Sequence, residues 1–108
     1  MLEERGRKAS IRYLQLRGYD VLDENYDGFV ICADEDDRIH IVDVSISEKY
    51  TTCLTDKSRE DFEQVMCKWL AQQDKYIDVE ICPDVCNLIV LSDSRALVRH
   101  YVNVQELV

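Results

Sequence analysis

The stretch that most limits what this chain can become runs from Tyr26 to Ile46, YDGFVICADEDDRIHIVDVSI. Residues 28–33 are an apolar run, 34–38 (DEDDR) are polar, and 39–46 are a second, β-branched run. Two such runs around a short polar segment predict a hairpin with its turn at 34–38. In the second run Ile39, Ile41, Asp43 and Ser45 share one face, and His40, Val42, Val44 and Ile46 share the other. Both faces are mostly apolar, which predicts a central strand covered on both sides. Asp43 is the exception. A carboxylate in such a run needs a partner, a metal or water, because burying it alone is costly.

The rest of the chain arranges itself around that hairpin. Residues 3–17 read as a helix with Ala9, Tyr13 and Leu16 on one apolar stripe and Ile11 and Leu14 on another, ended by Gly18. Residues 19–25 read as a short strand near a sheet edge, and 47–57 as a loop. Ser58 opens a second helix with a capping-box pattern, Ser at N-cap and Asp61 at N3. Phe62, Val65, Met66, Trp69 and Leu70 then recur at helical spacing, which predicts an amphipathic helix packed on a sheet. Residues 76–82 alternate as a short extended segment that Pro83 interrupts. Residues 86–91 read as an inner strand, 92–95 as a turn and 96–104 as a last strand. The expected fold is α/β (α+β), one domain over residues 1–108, with a mixed central sheet of about five strands flanked by helices.

Charge and cysteine usage narrow the function. The chain has 22 acids against 13 bases, a net charge of −9. Nucleic-acid affinity depends on neutralising phosphates, so this balance disfavours a nucleic-acid partner unless the bases cluster. The helix residues Arg5, Lys8 and Arg12 are the cluster on offer, readable as a solvated basic stripe or as a phosphate-contacting face. The acids at 34–37 read as a solvated turn, or as a calcium loop lacking the spacing, central Gly and closing Glu of an EF-hand. The five cysteines follow no framework spacing, and Cys82 and Cys86 read as buried thiols or as half of a zinc site. Neither His40 nor His100 is spaced to complete such a site. With no apolar span and a charged beginning, MLEERGRK, the expected setting is the cytoplasm, with no membrane contact. A nucleophile centred on Ser45 is excluded by parity, since His40 faces the other way. No organic cofactor is implied.

RYLQLRGYDVLDENY at 12–26, IVDVS at 41–45 and RHYVN at 99–103, in that order, resemble the YraN family. That family is related to the restriction-endonuclease-like PD-(D/E)XK nucleases, including the RecB-type and Holliday-junction-resolvase branches. The resemblance covers nearly the whole chain. It implies a restriction-endonuclease-like core. It also implies a site in which acids on adjacent strands hold Mg²⁺ and a Lys two residues after the second acid helps activate water. The family pattern reads roughly GE on the first helix, GEIDL on the first hairpin strand and VEVK on the second.

Carried over by position, the helix Glu falls on Arg7, the hairpin Asp on Val30, the Glu before it on Gly28, the second acid on Asp43 and the Lys on Ser45. Only Asp43 keeps its chemistry. Asp34 shares the parity of Val30 but lies roughly 13 Å along the strand. An ion pair between Arg7 and Asp43 in place of the metal is the expected compensation. The resemblance therefore implies a nuclease fold that has lost its metal-dependent activity and binds a partner, a protein or a second copy before a nucleic acid. The alternative is a Mg²⁺-dependent endonuclease or nucleic-acid-binding protein with rearranged residues.

Overall fold

The computed structural model describes residues 2–47, 55–73, 80–92 and 95–104. The elements are α1 (Leu2–Leu16), β1 (Asp20–Tyr26), β2 (Phe29–Ala33), β3 (Ile39–Ser47), α2 (Arg59–Ala71), β4 (Ile81–Ser92) and β5 (Arg95–Tyr101). The five strands form one mixed sheet in the order β1-β2-β3-β4-β5. Only the central β3–β4 pair is parallel; the other pairs are antiparallel. Two helices flank the sheet, and no described helix is long and apolar enough to cross a membrane.

The alternation in the central strands sorts side chains into two cores. Phe29, Ile31, Ile39, Ile41 and Val85 meet Phe62, Val65 and Trp69 of α2. Val30, Cys32, Val42 and Cys86 meet Ile11 and Leu14 of α1. The expected α2 pattern holds: Phe62, Val65 and Trp69 are buried, with Met66 and Leu70 packed beside them. Each fully buried side chain of this kind contributes on the order of 1.5–3 kcal/mol before conformational entropy is counted. Ser58 caps α2 with both bonds of the capping box, its hydroxyl accepting from the Asp61 N–H and the Asp61 carboxylate accepting from the Ser58 N–H.

Helix α1 keeps one of the two expected stripes, Ile11 and Leu14, and not the other. Its inner face is Gly6, Ser10, Ile11 and Leu14, whereas Ala9 is exposed and Leu16 is 78% exposed. Gly6 explains the change. A Cβ there would stand 2.3 Å from Ile46 Cδ1 and 3.2 Å from Leu88 Cδ2, so the bare backbone sets how closely α1 lies on β3 and β4. The helix ends in a Schellman motif, with the Tyr19 N–H on Leu14 O, the Gly18 N–H on Gln15 O, and Gly18 at φ +92°. Asp27 and Gly28, both at positive φ, make the two-residue turn between β1 and β2.

Strand β4 is the second correction. Pro83 does not interrupt it, and the strand runs unbroken through Asp84. Ile39 N–H donates to Glu80 O at 2.9 Å. Parallel alternation therefore turns the backbone of even-numbered β4 residues toward β3 and that of odd-numbered ones the other way. Pro83 thus lacks its N–H on the side where β5 pairing has not begun, since that ladder starts at Val85↔Tyr101. The last strand ends at Tyr101 rather than at 104; Asn103, at φ 57°, turns the chain so that the Val104 N–H reaches Pro83 O. Ser47 closes β3, and the segments expected as a loop at 48–54 and as extended chain at 76–79 lie outside the described residues.

Candidate functional site

Two clusters bear on function. The first surrounds Asp43, the carboxylate singled out by the family pattern. Asp43 is 5% exposed on the α2 face, directly opposite Phe29 in the β2–β3 ladder. It accepts a hydrogen bond from the Thr55 hydroxyl. Burial pushes its carboxyl above the usual range, against the opposing pull of the Thr55 bond and the Lys57 charge. The Lys57 ammonium lies 6.0 Å from the centroid of the Phe29 ring.

The other pattern positions do not converge on Asp43. Val30 is fully buried against α1, on the opposite face of the sheet. Arg7 does not pair with Asp43, correcting the expected ion pair. Its guanidinium donates to the backbone carbonyls of Glu24 at 3.3 Å and Gly28 at 3.2 Å, tying α1 to the β1–β2 turn. Those carbonyls satisfy the fork geometry of the guanidinium while Asp43 finds its bond at Thr55. Ser45 is half-buried on the Asp43 face, beside Asn87 of β4, whose buried Oδ1 has no partner among the described residues. Among the described residues Asp43 is bonded to the Thr55 hydroxyl, and the charges of Lys57 and Asp56 also act on its carboxyl; a magnesium ion takes one or two carboxylates plus substrate phosphates in near-octahedral geometry. Arg5, Lys8 and Arg12 are all exposed on the outer surface of α1, and Lys8 pairs with Glu4 at 3.5 Å. Cys82 and Cys86 stand four residues apart along one strand, roughly 13 Å, too far to share a metal. Among the described residues no group of three or more His, Cys, Asp or Glu is placed to hold a metal ion.

The second cluster is one that sequence reasoning missed. His40 lies between two carboxylates, with Nδ1 2.6 Å from Asp84 Oδ2 and Nε2 2.8 Å from Asp34 Oδ2. Both ring nitrogens face acceptors, so both carry protons and His40 is an imidazolium. Burial works against that charge, but the bonds to Asp84 and Asp34 outweigh it and raise the His40 pKa. His100 Nε2 donates to the same Asp84 oxygen at 2.7 Å, and the Asn103 N–H donates to Asp84 Oδ1 at 3.0 Å. Asp84 is fully buried. Burial disfavours its charge, but these donors hold its carboxyl below the usual range. Asp34, also opposed by burial, is held at about 2 by His40, by the N–H groups of Arg38 and Asp36, and by the Arg38 guanidinium. It is therefore not the solvated turn residue its sequence suggested.

Tyr19 closes the cluster from above. Its ring meets His40 edge-on at 5.1 Å and His100 at 5.4 Å between centroids. The Schellman turn of α1 puts it there. A cleft of about 260 Å³, lined in part by Arg17, Tyr19, Asp34, Asp36 and Arg38, opens beside Asp34. The neighbouring thiols are poor nucleophiles: burial pushes Cys32 strongly up and Cys82 up to about 11. Both nitrogens of His40 and both oxygens of Asp84 are already engaged. The cluster is an ionic brace joining the hairpin turn, β3, β4 and β5. The signals that could have found it are an Asp directly after a strand proline and the H-x-x-N ending of RHYVN, whose His and Asn both serve Asp84.

No protein-family model, no curated protein and no solved structure matches this chain.

Proposed function

We propose that this chain is a restriction-endonuclease-like domain of the YraN type that no longer works as a metal-dependent nuclease and acts as an interaction module. One observation carries the reading. The carboxylate kept at the pattern's second acid position is sealed in the α2 face by Thr55, and the first acid position, Val30, lies on the other side of the sheet. The order helix, three strands, helix, two strands, with parallel pairing across the second helix, supports the fold assignment. The net charge of −9 favours a protein partner over a nucleic acid.

Calorimetric titration of wild type and Asp43→Ala with Mg²⁺ and Mn²⁺ tests the reading. No saturable binding in the micromolar to low-millimolar range is expected in either protein. Saturable binding that the substitution removes overturns it and favours the alternative, an endonuclease with rearranged ligands.

A further inference from the structure

The hairpin turn at 34–38 is built around one carboxylate. Asp34 Oδ1 accepts from the N–H groups of Asp36 at 2.8 Å and Arg38 at 3.1 Å. The Asp34 N–H donates to Arg38 O at 3.0 Å, and the Asp37 N–H to Asp34 O at 3.1 Å, with Asp37 at φ 61°. The Arg38 guanidinium closes on Asp34 Oδ2 at 2.9 Å and reaches Asp36 at 3.5 Å. All of these bonds lie within the turn. Above the ladder pair Ala33↔Ile39, the hydrogen bond that ties it to the sheet among the described residues runs from His40 Nε2 to Asp34 Oδ2 at 2.8 Å. The turn is a preformed unit held down by one side-chain bond.

That bond lasts only while His40 keeps both ring protons. Nδ1 faces Asp84 Oδ2 at 2.6 Å, so a neutral His40 has one N–H for two carboxylates. The surroundings decide which contact is lost. The Asp84 side chain is fully buried and also holds His100 Nε2 and the Asn103 N–H. Setting a bare ring nitrogen against it in the interior is costly. The Asp34 side chain is 14% exposed at the cleft of about 260 Å³, where water can replace the imidazole. A neutral His40 therefore keeps its proton on Nδ1, toward Asp84, and turns a bare Nε2 toward Asp34. Two acceptors at 2.8 Å repel, and the side free to move is the turn. The other groups facing His40 leave this outcome intact. Cys32 and Cys82 flank it in the ladders, and burial raises both thiols. Burial also raises Tyr19, which stands edge-on to the ring. His100 needs one ring proton for its bond to Asp84, and either charge state supplies it. Arg38 and Asp36 belong to the turn and move with it. The buried face of α1, Gly6, Ser10, Ile11 and Leu14, brings no titratable group, and Arg17 beyond it lines the cleft.

We infer that His40 is a proton-operated latch: protonated, it holds the 34–38 turn against the sheet; deprotonated, it releases the turn, and with it one wall of the cleft beside Arg17 and Tyr19, while the Asp84 side of the brace stays closed. Burial lowers the His40 pKa, but the bonds to Asp84 and Asp34 outweigh it and hold it above the usual 6.5. The latch is therefore shut at pH 6.5 and below, and it opens as pH rises through the folded value. It stands independently of the interaction-module reading.

Nuclear magnetic resonance of the nitrogen-15-labelled chain from pH 6 to 9 is the test. The ring nitrogens of His40 report its proton, and backbone order parameters report the turn. At pH 6 the amides of residues 35–38 should be as rigid as the sheet, at about 0.85, and they should fall toward about 0.6 with the midpoint of the His40 titration. The Asn103 amide, bonded to Asp84, should stay rigid across the range. Asp34→Asn separates the proton from the turn. Its side-chain oxygen keeps the two bonds from Asp36 and Arg38, and its amide nitrogen can donate to a neutral His40. In that variant the turn should remain rigid at pH 9, and His40 should titrate at lower pH than in wild type. Turn amides equally rigid on both sides of the wild-type titration overturn the inference. So does loosening at Asn103 in their place, or a His40 that keeps both protons to pH 9. A folded Asp34→Asn whose turn loosens with pH as in wild type overturns it as well, and the wild-type profile decides alone if that variant does not fold.

Discussion

A doubly bonded, buried imidazolium makes stability fall as pH rises through neutrality. The folded pKa of His40 is raised, so the native state holds a proton that the unfolded chain releases near pH 6.5. The stability this bond set provides is fully present below pH 6.5 and is lost as pH climbs through the folded value. While the native state keeps the proton and the unfolded state has lost it, the slope approaches about 1.4 kcal/mol per pH unit. The window from pH 6.5 to 8 isolates the effect. It lies above the carboxylates and below the unfolded thiol pKa of about 8.5, above which the buried cysteines add a slope of the same sign. Urea unfolding followed by the fluorescence of Trp69, 4% exposed, gives the measurement directly. Wild type should lose stability between pH 7 and 8, and His40→Gln, with no proton to lose at that position, should show a flatter profile. A wild-type stability that is level or rising across this window would refute the assignment of His40 as a buried cation.

Three further outcomes follow from the packing. Gly6→Ala should destabilise by roughly 1–3 kcal/mol despite alanine's better helix propensity, because its methyl meets Ile46 at 2.3 Å; a melting temperature at or above wild type would contradict the contact. Ser58→Ala removes half of the capping box and should cost about 1 kcal/mol, roughly a 4–8 °C fall in melting temperature for a domain of this size. Asp43→Asn keeps an acceptor for Thr55 but sheds a charge that burial disfavours. It should stabilise the protein at pH 7, and the gain should shrink below pH 4 as the wild-type carboxyl protonates; urea midpoints at the two pH values decide this.

Local signals made much of the fold readable. The 26–46 hairpin, the α2 cap and the Phe62–Leu70 stripe depend on residues a few positions apart, where alternation, helical period and capping chemistry act. On α1 the Ile11–Leu14 stripe was legible, but apolarity alone also suggested Ala9 and Leu16, whereas a glycine and a serine complete the face that meets the sheet. Pro83 looked like a break because its missing donor matters only if a neighbour needs it, and the neighbouring strand begins two residues later. The retained Asp43 was legible as an anomaly, but the pleat puts Val30, the position carried over as its companion, on the α1 side of the sheet, and sets Phe29 across the ladder from Asp43. The ionic brace was invisible for a different reason. Its members are separated by 44 residues between His40 and Asp84 and by 16 between Asp84 and His100, and only the closed sheet brings them together.

The lone parallel pair at the centre of the sheet has a kinetic consequence. β1, β2 and β3 are neighbours in sequence and can form by successive hairpins, as can β4 and β5. The two halves meet only when the chain crosses from Ser47 to Ile81 by way of α2, the step that carries the largest loop-closure entropy. Asp84 and His40 belong to opposite halves, so their charges come together in that step and in no earlier one. If the barrier lies at that union, the pH sensitivity of stability divides between folding and unfolding rates according to how far the pair has formed at the crossing. Chevron plots at pH 6.5 and 8 would read that division, and with it the order in which the halves are joined.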